Sequence, residues 1–141
     1  MKSILVAVDG SEHSNQGIIE AAAIAKARGF KLELVNVLPP VLLAPGVYAE
    51  AIVKVEEGNR EAATKILEAG RKVAQAAGVD AETVMLSGGS PAEAIAELAE
   101  AERVWGVVVG AKGHGAMTRV LLGSVTDRLV HILHKPVLVV R

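Results

Sequence analysis

Four glycines, Gly110, Gly113, Gly115 and Gly123, punctuate the stretch GAKGHGAMTRVLLGSVTDR at 110–128, between the apolar run Val107-Val108-Val109 and an amphipathic segment. A glycine at Gly110 or Gly113 lets backbone approach a ligand where a Cβ would collide. Gly123-Ser124 stands where a helix opens, and the free N–H groups and positive dipole end of such a terminus favour an anion such as phosphate. Asp9, which ends the first apolar run, is a carboxylate suited to a divalent cation. The pattern departs from two familiar phosphate loops. No Gly-Lys-Ser/Thr follows Gly110 at the P-loop distance, and the dinucleotide fingerprint belongs after the first strand, where this chain has Asp9-Gly10-Ser11. A plainer reading stands beside the anionic one: the glycines serve turns, and Ser124 with Asp127 three residues on caps a helix.

Other chemistry-bearing groups are less complete. Lys112, His114 and Arg119 are either phosphate neighbours or solvated loop charges. His131 and His134 have a spacing on the last helical segment that can chelate zinc, yet no cysteine and no carboxylate beyond Asp127 completes a set. They read better as a partly exposed pair near a helix C-terminus. Asp9, Ser11 and His13 are close in sequence, which does not make a catalytic triad; Ser11 reads as the cap of the first helix. Without a clear general base near the phosphates, any hydrolysis would be slow.

The elements that must position these residues alternate along the chain. Ile4 to Val8, Leu32 to Leu38, Thr83 to Leu86, Val104 to Val109 and Val137 to Val140 are near-continuous apolar runs, as expected of buried strands. Between them lie segments of helical spacing: Ile18, Ala22, Ala25; Ile52, Val55, Ile66, Val73; Ile95, Leu98, Ala99; and Val125, Leu129, Ile132, Leu133. With right-handed crossovers this predicts an α/β domain whose mostly parallel sheet is covered by helices on both faces. Ser90-Pro91 with Glu93 marks the third helix start, and Gly29 and Gly78 end the first two. Leu38 to Ala51, with Pro39-Pro40 and Pro45-Gly46, is the one long irregular connection, a candidate lid or contact surface. In such sheets ligands sit beyond the carboxyl ends of the strands, where strand order reverses. If the first and fourth strands are neighbours there, Asp9 and Gly110 face one crevice and Val37 flanks it.

The chain's 141 residues fit one domain, 1–141, able to bury about 70% of its unfolded surface. A net charge of −1 and an aromatic content of 2% argue against nucleic acid as a partner. With no cysteine there are no disulfides, thiol catalysis or thiolate metal sites. The apolar start is too brief for a signal peptide or membrane span, so a cytoplasmic protein with no membrane partner is expected.

Gly110, Gly113, Gly123 and Ser124 together form the pattern glycine, two residues, glycine, nine residues, glycine-serine, which resembles the nucleotide-binding signature of the ATP-binding branch of the universal stress protein family. Ile4 to Ser11, Val35-Asn36-Val37, Gly89-Ser90-Pro91, Leu122 to Val125 and Lys135 to Val140 extend the resemblance over essentially the whole chain. The chain departs from the family around Trp105, where an acidic residue is common, and Gly106 weakens the start of that strand.

The resemblance implies a five-stranded sheet of order 3-2-1-4-5 and binding of ATP or another adenine nucleotide with magnesium. It implies that Asp9 meets the ribose-phosphate region or Mg²⁺, and that Val37 offers backbone hydrogen bonds to adenine. Val109 and Gly110 would line the ribose side; Gly113, Gly123, Ser124 and Val125 would hold phosphates. It further implies a homodimer through antiparallel pairing of Val137 to Val140, an apolar run that otherwise needs covering. Three functions remain open at this point: a nucleotide-binding regulatory module in a stress response, a slow ATP hydrolase or phosphotransferase, and an interaction-only dimer.

Overall fold

The apolar run after Lys2 becomes β1 (Ser3–Ala7), and the chain then alternates helix and strand to its end. A computed structural model describes residues 1–42, 44–111 and 122–141. After β1 come α1 (Glu12–Arg28), β2 (Lys31–Leu38), α2 (Ala49–Ala76), β3 (Ala81–Ser87), α3 (Pro91–Ala99), β4 (Val104–Gly110), α4 (Ser124–Ile132) and β5 (Val137–Val140). The five strands form one sheet in the order β3-β2-β1-β4-β5, and every pairing is parallel. Strand order reverses between β1 and β4, as the resemblance implied.

The runs lack polar alternation because both faces of the central strands are covered. Ile4, Val6, Leu32 and Leu34 pack with Ile18, Ala21 and Ala22 of α1 and with Leu67 and Ala74 of α2. Leu5, Val35, Val107 and Val109 pack on the other face with Ile95 of α3 and Leu129 of α4. The edge strands β3 and β5 are less buried.

Local signals set the helix ends. The Ser11 hydroxyl accepts from Ser14 N at 3.2 Å, and the Ser90 hydroxyl accepts from Glu93 N at 3.5 Å with Pro91 in the first turn. The expected capping box is half built, because the Glu93 carboxylate accepts instead from Arg128 at 3.3 Å. Gly29 (φ 68°) and Gly78 (φ 87°) take the left-handed conformation that ends α1 and α2.

The long α2 corrects one expectation. Its 28 residues span about 42 Å, whereas the eight residues of β2 span about 26 Å, so the helix overruns the sheet. Its buried positions, Ala63, Leu67, Gly70 and Ala74, begin near its middle. Val55, expected to be part of the apolar stripe on the sheet, is 51% exposed beyond it. The irregular connection is correspondingly shorter than expected, since the helix has started by Ala49.

Two features at the amino ends of the strands were not anticipated. Glu33, buried inside the second apolar run, receives two hydrogen bonds from Arg103, Nε to Oε1 at 2.9 Å and an Nη to Oε2 at 3.1 Å. Trp105 packs on Phe30 with ring centroids 5.8 Å apart, and the Arg28 guanidinium lies 4.9 Å from the centroid of each ring. The start of β4 is irregular, its register with β1 shifting between Val104 and Gly106, but Gly106 also serves β5. A Cβ there would lie 2.7 Å from the carbonyl oxygen of Pro136, the group that accepts from Val107 N at 2.9 Å to begin the β4–β5 ladder.

Candidate functional site

Parallel strands keep their ladder only while each N–H finds the next carbonyl, and β1 and β4 stop doing so at one place. The register Leu5 to Val107, continued upward, would have Asp9 N donate to Gly110 O. Instead Asp9 N turns to the Ser14 hydroxyl at 3.3 Å, and Gly110 O accepts from the Thr126 hydroxyl at 2.6 Å. The two strands part company here, at the reversal of strand order, where the fold places the crevice for a ligand. Gly10, with φ 84°, supplies the sharp turn that takes the chain from β1 into α1.

Val37 borders the crevice on the β2 side. Val8 N donates to Val35 O at 2.8 Å, so Val35 directs its backbone groups toward β1, and Val37, two residues on, directs its N–H and C=O the same way. β1 has ended at that level. Among the described residues neither group of Val37 has a partner, so an edge of one donor and one acceptor faces the gap.

On the opposite side stands the N-terminus of α4. Its N-cap is Gly123, which carries no capping side chain, so Ser124 is the first helical residue and not the cap that the plainer reading had made it. Among the described residues the amides of Ser124, Val125 and Thr126 therefore have no partner at the positive end of the helix. Gly123 N donates to Ala111 O at 2.8 Å, and Ala111 N donates to Val140 O at 2.7 Å, which pins this terminus beside the ends of β4 and β5.

Asp9 lies between these walls. Its Oδ1 accepts from Ser11 N at 2.8 Å, leaving the second carboxylate oxygen without a partner among the described residues. Among those residues no group of three or more His, Cys, Asp or Glu gathers to hold a metal, so Asp9 suits a cation only as one ligand among others. Magnesium is commonly held this way, by one or two carboxylates with phosphates and waters.

The structure thus places Asp9, Val37, Gly110, Gly123, Ser124 and Val125 at the carboxyl end of the sheet, about the reversal of strand order. Val109 lies a residue deeper, 2% exposed and paired with Val139. Gly113, Lys112, His114 and Arg119 lie outside the described residues. The zinc spacing fails because α4 ends at Ile132, before His134, and His131 Nδ1 lies 2.7 Å from the Asp127 carbonyl oxygen. No triad forms at Asp9, Ser11 and His13: Ser11 caps α1, and His13 Nδ1 is buried without a partner among the described residues. Thr126 was missed in the sequence, since its partner Gly110 is 16 residues away, and so was Asn36, whose carboxamide nitrogen donates to Val8 O at 2.7 Å.

Residues 1–141 match the sequence model of the Universal stress protein family. A universal stress protein of Thermus aquaticus is 36% identical over 99% of this chain and 98% of its own length. The solved universal stress protein UspA from Lactobacillus plantarum superimposes with a TM-score of 0.84 at 22% identity, covering 99% of this chain and 97% of that one. A universal stress protein solved in complex with cAMP does so with a TM-score of 0.73 at 26% identity, covering 99% and 97%.

Proposed function

This chain belongs to the universal stress protein family, and from that premise we propose that it is a single-domain, adenine-nucleotide-binding regulatory module of the stress response, acting in the cytoplasm as a homodimer. The observation that carries the reading is the pair of backbone edges that have no partner among the described residues, both at the carboxyl end of the sheet. Val37 offers a donor and an acceptor on one wall, and the uncapped amides of α4 stand on the other. An adenine base presents the complementary edge, N1 as acceptor beside the N6 amino donor, and a phosphate suits a helix N-terminus. The cAMP bound by the 26% identical relative carries both moieties.

ATP with Mg²⁺ is the ligand this arrangement fits best within the class. Asp9, with one carboxylate oxygen left over, would share the cation with the phosphates, and the cation would neutralise their charge. Val109 and Gly110 would border the ribose, with Gly113 joining Gly123, Ser124 and Val125 at the phosphates. Among the described residues no helix is long and apolar enough to cross a membrane.

The outer edge of β5 supports the homodimer. Val107 N donates to Pro136 O and Ala111 N to Val140 O, so the even-numbered carbonyls of β5 face β4 and the backbone groups of Val137 and Val139 face outward. Leu138 is 39% exposed on this edge, which among the described residues no other strand covers and a second copy could pair with.

Competition between a fluorescent adenine nucleotide and AMP, cAMP, ATP or GMP tests the reading. Displacement by the adenine compounds and not by GMP is expected, because guanine presents N1–H and O6 in the reverse order. Equal displacement by GMP, or no binding of any of them, contradicts it.

A further inference from the structure

We infer that Asn36 is a positioning residue that holds the Val37 N–H open for a ligand. The argument starts from register. Lys31 N donates to Lys2 O at 2.9 Å, and Ser3 to Ala7 pair in step with Lys31 to Val35. Carried two residues further, the same ladder has Val37 N donate to Val8 O. That bond is absent, although its reciprocal neighbour, Val8 N to Val35 O at 2.8 Å, is made. The Val8 carbonyl is taken instead by the Asn36 carboxamide, Nδ2 to O at 2.7 Å.

A side chain has displaced a backbone donor from its own ladder. An asparagine one residue before the displaced amide can do this because its carboxamide mimics a peptide group. Asn36 is only partly buried, so nothing in the core demands a polar group there, and an apolar residue would let the ladder close over Val8 O. The consequence falls on the crevice. With Val8 O satisfied, Val37 keeps a donor whose direction is fixed by β2 and whose partner must come from outside the sheet. Because a site with a fixed donor loses little on ordering, the arrangement favours a planar acceptor such as a ring nitrogen lying in the sheet plane.

The inference rests on the adenine reading for the identity of the ligand, and on the ladder alone for the open amide. The two are separable by measuring amide hydrogen exchange at Val37 by NMR in the full chain. In the nucleotide-free protein the Val37 amide exchanges fast while that of Val35 is protected, and AMP slows Val37. In Asn36→Leu and Asn36→Ala the Val37 amide becomes protected without any nucleotide, and AMP affinity falls about tenfold or more because adenine N1 loses its donor. A Val37 amide already protected in the nucleotide-free wild type, or one unaffected by both substitutions, overturns the inference. If neither variant folds, the wild-type exchange rate alone decides it. If AMP changes no amide in the wild type, the adenine reading fails, while the comparison of nucleotide-free proteins still tests the role of Asn36.

Discussion

A Cβ on Gly110 would sit 2.8 Å from the Cβ of His13 and 3.1 Å from its carbonyl oxygen, so the last residue of β4 is glycine because the first turn of α1 lies directly against it. Ligand clearance is not needed to explain this position. Gly110→Ala forces the backbone of α1 aside, and the expected loss is about 1–3 kcal/mol of folding stability in nucleotide-free protein, read from urea unfolding. Gly58, mid-helix and with nothing within 4 Å of a Cβ, is the control: Gly58→Ala raises stability by about 0.5–1 kcal/mol. A Gly110→Ala protein of normal stability that no longer binds nucleotide would restore the ligand-clearance reading.

Arg103→Met leaves the Glu33 carboxylate, 4% exposed, without its partner. Arg103 itself is 46% exposed, which places the loss at the low end for a buried pair, about 2–3 kcal/mol by denaturant unfolding. Arg103→Met combined with Glu33→Leu recovers much of it, since the buried charge goes with its partner. The hydrogen bonds and charge of Glu33 hold the Arg103 pKa above its already high ordinary value. A raised cationic pKa gives stability that is complete below the unfolded value and lost only as pH climbs through the folded one, so the arginine adds no pH dependence between pH 5 and 9.

Asp9→Asn keeps an acceptor for Ser11 N but removes the charge. Stability should stay within about 0.5 kcal/mol of wild type, while the enhancement of ATP binding by Mg²⁺ disappears. Asp9→Ala loses both, with about 1 kcal/mol of stability going with the turn. Titrations with and without Mg²⁺ check this, and an Asp9→Asn protein that still responds to Mg²⁺ would place the cation elsewhere.

Val139→Pro removes an outward-facing N–H of β5 without touching the bonds that β5 makes to β4. Sedimentation should show a dimer for the wild type and a folded monomer for the variant. A Val139→Pro dimer would mean that the copies meet through another surface.

Much of this molecule could be read from the chain because its strands are buried on both faces and its helix ends carry ordinary caps. Runs such as Ile4 to Val8 and signals such as Ser90-Pro91 depend only on neighbours in sequence. What escaped reading depends on partners far away. Glu33 lies inside an apolar run, and the partner that lets it be buried there, Arg103, is 70 residues away. Gly106 looked like a weak point, yet it makes room for Pro136. Gly110 was picked out for closeness to a ligand, and nothing in its sequence neighbourhood signals that His13 also lies against it. Val55 continued a helical spacing past the point where the sheet ends. Asp9, Val37 and Gly123-Ser124 could be assigned to the carboxyl end of the sheet, since the ends of strands are themselves legible. The parts of Asn36 and Thr126 were invisible, because each takes a backbone carbonyl whose partner in a regular ladder would be another strand.

The most direct test is calorimetric titration of nucleotide-free protein with MgATP, beside Gly123→Val. Gly123 has φ −60° and ψ 155°, a conformation valine adopts freely, so the variant should fold while its side chain obstructs the phosphate end of the crevice. The account predicts wild-type binding on the order of 1–100 µM and at least a tenfold loss in a folded Gly123→Val protein. No heat of binding in the wild type, or undiminished binding in the variant, would contradict it.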